Sequence, residues 1–98
     1  MSLGYEFSSV ALEDIAEIFV YYTRILNAEI AQARVDEIFY RVKEICDFPD
    51  SGQLVPSRRK GVRRIMQRDY LIFYVLREAT IFVLRVQHGR RDLTDLVL

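Results

Sequence analysis

The sequence holds one cysteine and one histidine, and no uninterrupted apolar run approaches the roughly 18 residues that a membrane helix needs. A lone Cys46 excludes an internal disulfide. With neither a second cysteine nor a spaced histidine beside it, it builds no metal site and reads as a small buried hydrophobe. No signal-peptide core is present, so the expected location is cytoplasmic, without membrane contact or cofactor. Internal repeats and low-complexity tracts are absent too. What is present is 98 residues, 51% of them hydrophobic, with six Tyr and six Phe. That is enough for one core, and the expectation is a single domain over residues 1–98 in which the opening MSLG carries no weight.

The formal net charge is zero, yet residues 1–50 hold four Lys/Arg against ten Asp/Glu and residues 51–98 hold ten against four, so the halves carry −6 and +6. The basic half is a candidate surface for an acidic partner or for phosphates; the plainer alternative is that the halves neutralise each other within the fold. Its densest cluster is Arg58, Arg59, Lys60, Arg63 and Arg64. No exposed aromatics interleave with it, so direct nucleic-acid binding is not favoured.

Ser8 or Ser9 can cap a first helix, with Glu13 and Asp14 placed where the helix dipole favours negative charge. Leu12, Ile15, Phe19, Tyr22 and Leu26 recur at three and four and predict one apolar stripe; after a break at Asn27, Ala31, Val35, Ile38, Val42 and Ile45 repeat it. The result is a helical hairpin. Pro49, Asp50, Ser51 and Gly52 end the second helix and open a loop over residues 48–61. Beyond Gly61 come VRRIM, YLIFYVL and TIFVLRV, separated by QRD and REA, which predict three antiparallel strands. With a short strand near YEFS, the expected class is α+β in the order β-α-α-β-β-β, the hairpin packed on a small antiparallel sheet. YLIFYVL is apolar throughout and suits a central strand covered on both faces, whereas two helices cover only one. Either the sheet curls or its other face meets a partner.

Residues 5–95, with ALEDIAEIFVYY, FPDSG, GVRRIMQRDYLIFYVL and the closing LRVQHGRRDL, resemble the RelE/ParE toxin superfamily of bacterial toxin–antitoxin modules. The ending RVQHGRRD is similar to the ParE branch of plasmid stabilisation proteins. The resemblance implies a toxin with a cognate, ParD-like antitoxin that neutralises it, and a protein target that in some ParE members is DNA gyrase. RelE-type members instead cleave messenger RNA on the ribosome, which requires a base, a phosphate-facing cation and an acid. Where RelE-type chains commonly carry that arginine this sequence has Leu71, and residues 89–98 contain no tyrosine. The expected action is therefore binding, with no catalytic residue. The alternative is a RelE-type endoribonuclease using His88 as base and Arg90 as cation, and a third reading is an inactive toxin that keeps only antitoxin binding.

The residues expected to meet a target or partner are Arg63, Arg64, Tyr70, Arg85, His88, Arg90, Arg91 and Asp92. The antitoxin is expected across the hairpin and sheet edge, on Arg63, Arg64 and Tyr70 among others. Strand alternation puts Arg85 on the same sheet face as Val83, with Asp92 a candidate carboxylate for it; Asp92 could instead cap the segment after residue 92. Tyr21, Tyr22, Tyr70 and Tyr74 read most simply as amphipathic residues at the core edge.

Overall fold

The computed structural model describes residues 2–90 and Leu98. Strand β1 (Gly4–Phe7) leads into helix α1 (Ser9–Ile25), then α2 (Ala28–Asp47), a two-residue strand β2 (Gln53–Leu54), and strands β3 (Arg63–Gln67), β4 (Tyr70–Arg77) and β5 (Thr80–His88). The strands form one sheet in the order β1-β5-β4-β3-β2. The expected α+β order holds, with β2 added inside the 48–61 loop. The sheet is mixed, because β1 lies parallel to β5 while the other neighbours are antiparallel.

Ser8 is the cap of α1: its hydroxyl oxygen accepts from Ala11 N at 2.9 Å and donates to Leu84 O at 2.8 Å, tying the helix start to β5. Asn27 caps α2 in the same way, accepting from Ile30 N at 2.9 Å. The buried stripe of α2 is the expected one. On α1 it rotates to Ala11, Asp14, Ile15 and Ile18, leaving Leu12 50% exposed, because α1 packs against β5 as well as α2. No acidic residue serves the first turn of α1, contrary to expectation for Glu13 and Asp14, and Asp14 is turned inward.

Strand β4 is central and buried from Tyr70 to Val75. Its Tyr70, Ile72 and Tyr74 join the helix-side core, while Leu71, Phe73 and Val75 form a second core on the outer face with Val62 and Leu84. Neither expected alternative for that face is needed, since the chain covers it with Val55, Val62, Phe82 and Leu98. The FPDSG turn is fastened to the helix-side core by Tyr74, whose hydroxyl donates to Pro49 O and accepts from Gly52 N, each at 2.9 Å. Gly52 is required there, because an added Cβ would lie 2.6 Å from that hydroxyl. Among the described residues, no helix is long and apolar enough to cross a membrane.

Candidate functional site

The site begins at an irregularity in β5. Pairing with β4 runs Tyr70 to His88 through Phe73 to Arg85, then slips by one residue so that Tyr74 faces Val83. Leu84 is the extra residue of a bulge. It reverses the alternation: Ile81 and Val83 belong to the helix-side core and so does Val86, while Arg85 stands opposite Phe73 of the outer face. The expectation that Arg85 shares a face with Val83 is overturned for this reason.

The bulge also marks where β1 stops, for its last pair is Phe7 with Val83. Beyond it the open edge of β5 is met by α1 through Asp14. That carboxylate accepts from Arg85 Nε at 2.8 Å and Nη2 at 3.0 Å, from Val86 N at 2.9 Å and from Gln87 Nε2 at 2.8 Å. Two parallel charge-assisted bonds from a guanidinium, with a backbone and an amide donor, meet a carboxylate's acceptor capacity. Arg85 is held above its usual pKa, chiefly by its hydrogen bonds to Asp14. Its partner among the described residues is thus Asp14, 71 residues away; Asp92, the candidate carboxylate, lies with Arg91 outside the described residues. An acid at an apolar-stripe position, between Ala11 and Ile18, was the sequence signal for it.

Over this staple lies a cleft of about 520 Å³. Helix α1 contributes Asp14, Glu17, Ile18 and Tyr21; the other wall is Tyr70, Val86, Gln87, His88 and Arg90. Tyr70 and His88 are cross-strand partners whose rings meet edge to face at 5.3 Å. His88 Nδ1 accepts from Arg90 N at 3.1 Å, which makes Nδ1 an acceptor and leaves the ring proton of neutral imidazole on Nε2. Burial first, then Tyr22, push the Tyr70 phenol up to about 12.

The fold therefore brings Tyr70, His88 and Arg90 together, with Arg85 anchored behind them. Arg63 and Arg64 stand apart on β3. Arg63 donates to Gly52 O at 2.8 Å and pairs with Asp50 at 3.6 Å, supporting the FPDSG turn, while Arg64 is opposite Phe73 on the outer face. Glu17 and Gln87 are cleft residues that the sequence did not single out, and Tyr21, read as a core-edge residue, lines the cleft with them. Tyr21 is 53% exposed, whereas Tyr70 and Tyr74 are buried, so of the four tyrosines read as core-edge residues these two belong to the core.

A family model described as the ParE toxin of the type II toxin–antitoxin system parDE matches residues 5–93. Among curated protein sequences none matches significantly. Solved structures with the same fold include a chromosomal ParDE toxin–antitoxin system from P. aeruginosa, 22% identical over 89% of this chain and 96% of that one, with a TM-score of 0.75. A RelBE toxin–antitoxin complex from Mycobacterium tuberculosis is 19% identical over 90% of this chain and 99% of that one, with a TM-score of 0.63. The intact E. coli RelBE complex is 17% identical over 92% of this chain and all of that one, with a TM-score of 0.59. These identities speak for the fold; the family match, which spans nearly the whole chain, shows that the protein belongs to the ParE toxins of type II toxin–antitoxin systems.

Proposed function

We propose that this chain is a single-domain cytoplasmic toxin that acts by binding a protein target, DNA gyrase being the candidate the family resemblance suggests, and that a ParD-like antitoxin neutralises it. The observation that carries the binding reading is the bidentate Arg85–Asp14 pair. The half-buried arginine beside the cleft is committed to a carboxylate and is not poised for a scissile phosphate. Two further features agree. The Tyr70 phenol, held near 12, is a neutral group at physiological pH, and His88 Nδ1 is engaged by the Arg90 amide. The structural relatives that are toxin–antitoxin complexes support an antitoxin partner here. Its contacts are proposed over the hairpin and sheet edge, including Tyr70, Arg63 and Arg64. For the target, Arg90, Arg91 and Asp92 are proposed.

The competing reading, a ribosome-dependent endoribonuclease, draws on His88 and Arg90 lining one cleft. The test is to induce the chain alone in a bacterium, measure DNA synthesis, and sequence messenger RNA ends at codon resolution. Binding predicts arrested replication with intact messages, inhibited supercoiling by purified gyrase, and rescue by the antitoxin. Widespread cleavage in the ribosomal A site, reduced about 10²–10⁴-fold by His88→Ala, would replace it with the enzymatic reading.

A further inference from the structure

The cleft between α1 and β5 has a chemistry that pairing and packing among the described residues use only in part. Asp14 at its base is saturated by four donors from β5. Glu17, one turn further along α1, has no hydrogen bond or ion pair among the described residues. Tyr21 comes one turn later and is 53% exposed, and Tyr70 and His88 face it from the sheet. The Glu17 charge does help to raise the Arg85 pKa across the staple, but its oxygens accept from no donor among the described residues, so the cleft combines aromatic rings from both walls with a carboxylate whose acceptors are open.

Aromatic faces carry negative potential and attract cations, guanidinium above all because it also stacks. Among the described lining residues an anion would gain Arg90 alone of the arginines and lysines, at the cost of lying against those faces. This fold already pairs the same chemistries next door: Arg34 lies over the Tyr22 ring at 5.6 Å, and Tyr22 meets Tyr21 edge to face at 5.2 Å. The volume, about 520 Å³, is within the roughly 300–1,000 Å³ of ligand sites and holds a long side chain with its flanking backbone.

We propose that the cleft receives an arginine side chain of the antitoxin, its guanidinium against Tyr21 and Tyr70 and its donors on the Glu17 carboxylate. The toxin reading supplies only the identity of the partner; the selectivity for guanidinium belongs to the cleft. A buried aromatic slot that takes one Arg anchor is a usual form of interface hot spot.

Two experiments separate these parts. In the first, the isotope-labelled protein is titrated with N-acetyl-arginine amide and, separately, N-acetyl-glutamate amide, while the ring resonances of Tyr21, Tyr70 and His88 are monitored. Saturable shifts are expected with the arginine probe only. They should weaken about fivefold or more in Glu17→Gln and strengthen about twofold or more in Arg90→Gln, which removes a like charge. Equal response to the glutamate probe, or arginine binding indifferent to Glu17→Gln, overturns the cleft assignment whether or not the chain is toxic. In the second, each arginine of the antitoxin encoded beside the gene is changed to alanine. One change should cost about tenfold or more in affinity for the unaltered toxin and little further against Glu17→Gln, the coupling expected of a direct pair. If every arginine acts independently of Glu17, the occupant is not the antitoxin.

Discussion

Asp14 sits at a core position of an amphipathic helix, 5% exposed, where an isolated carboxylate would be strongly disfavoured. It is tolerable because β5 brings four donors to it. Removing one partner of such a pair is worse than removing both. Asp14→Ala should therefore cost about 3–5 kcal/mol in urea unfolding, leaving a guanidinium that is only 21% exposed and the Val86 amide without their acceptor. The double change Asp14→Leu with Arg85→Met should recover most of that loss. If the single and double variants are equally damaged, the staple is not what holds α1 to β5. Tyr70 carries a second prediction at this scale. Its phenol ionises near 12 in the folded chain against an ordinary 10.0, so folding holds the protonated form. A raised folded pKa gives stability that is fully present below about 10 and lost as pH rises through about 12. Alkaline unfolding should be postponed in Tyr70→Phe, and ultraviolet titration should show one fewer late-ionising tyrosine.

At the scale of elements, the β4–β5 hairpin turns on two residues, Glu78 and Ala79, with φ of 50° and 59°. Both occupy the left-handed region that a tight hairpin needs, and neither is a residue that favours it. Glu78→Asn with Ala79→Gly should stabilise the fold by about 1 kcal/mol, raising Tm by roughly 4–8 °C for a domain of this size. An unchanged or lower Tm would mean that the turn relaxes at no cost. This hairpin also shows what periodicity can and cannot convey. REA was legible as a turn because two apolar runs of strand length flank it. The helices were legible from their spacing, and Ser8 from its chemistry. The bulge at Leu84 was not, because TIFVLRV alternates no more irregularly than any strand apolar on both faces; the slip is dictated by β1 ending at Val83 and α1 entering beside it. That one hidden residue accounts for the wrong face for Arg85, and Asp14, the carboxylate that meets it, lies 71 residues away where strand periodicity gives no hint. The cleft was half legible: Tyr70, His88 and Arg90 come from the segment that carries the family resemblance, whereas Glu17 and Tyr21 belong to a helix face that resembles ordinary solvated surface until a sheet stands opposite.

Across the whole molecule, the charge division is partly spent internally, since Asp14–Arg85, Glu37–Arg68 and Asp50–Arg63 each join the acidic half to the basic half. The Glu37 carboxyl is held below its usual pKa chiefly by the hydrogen bond from Arg68. Arg58, Lys60 and Arg64 have no ion pair among the described residues and leave a basic rim beside the outer sheet face. That face decides what kind of molecule this is when alone. Were it an open docking surface, its apolar side chains would be exposed in the free chain and inexpensive to truncate. Instead Leu71, Phe73, Val75 and Leu84 are 3–7% exposed, as well covered as their neighbours on the helix side. Phe73→Ala should then cost about 3–5 kcal/mol, comparable to the roughly 2–5 kcal/mol of Ile72→Ala on the opposite face of the same strand. The comparison is internal, because both residues are in β4 and share its hydrogen bonding, so only the packing beneath each side chain differs. A Phe73→Ala variant that unfolds within about 1 kcal/mol of the parent would show that the outer core is a loose cover, and that face would then be open to a partner segment.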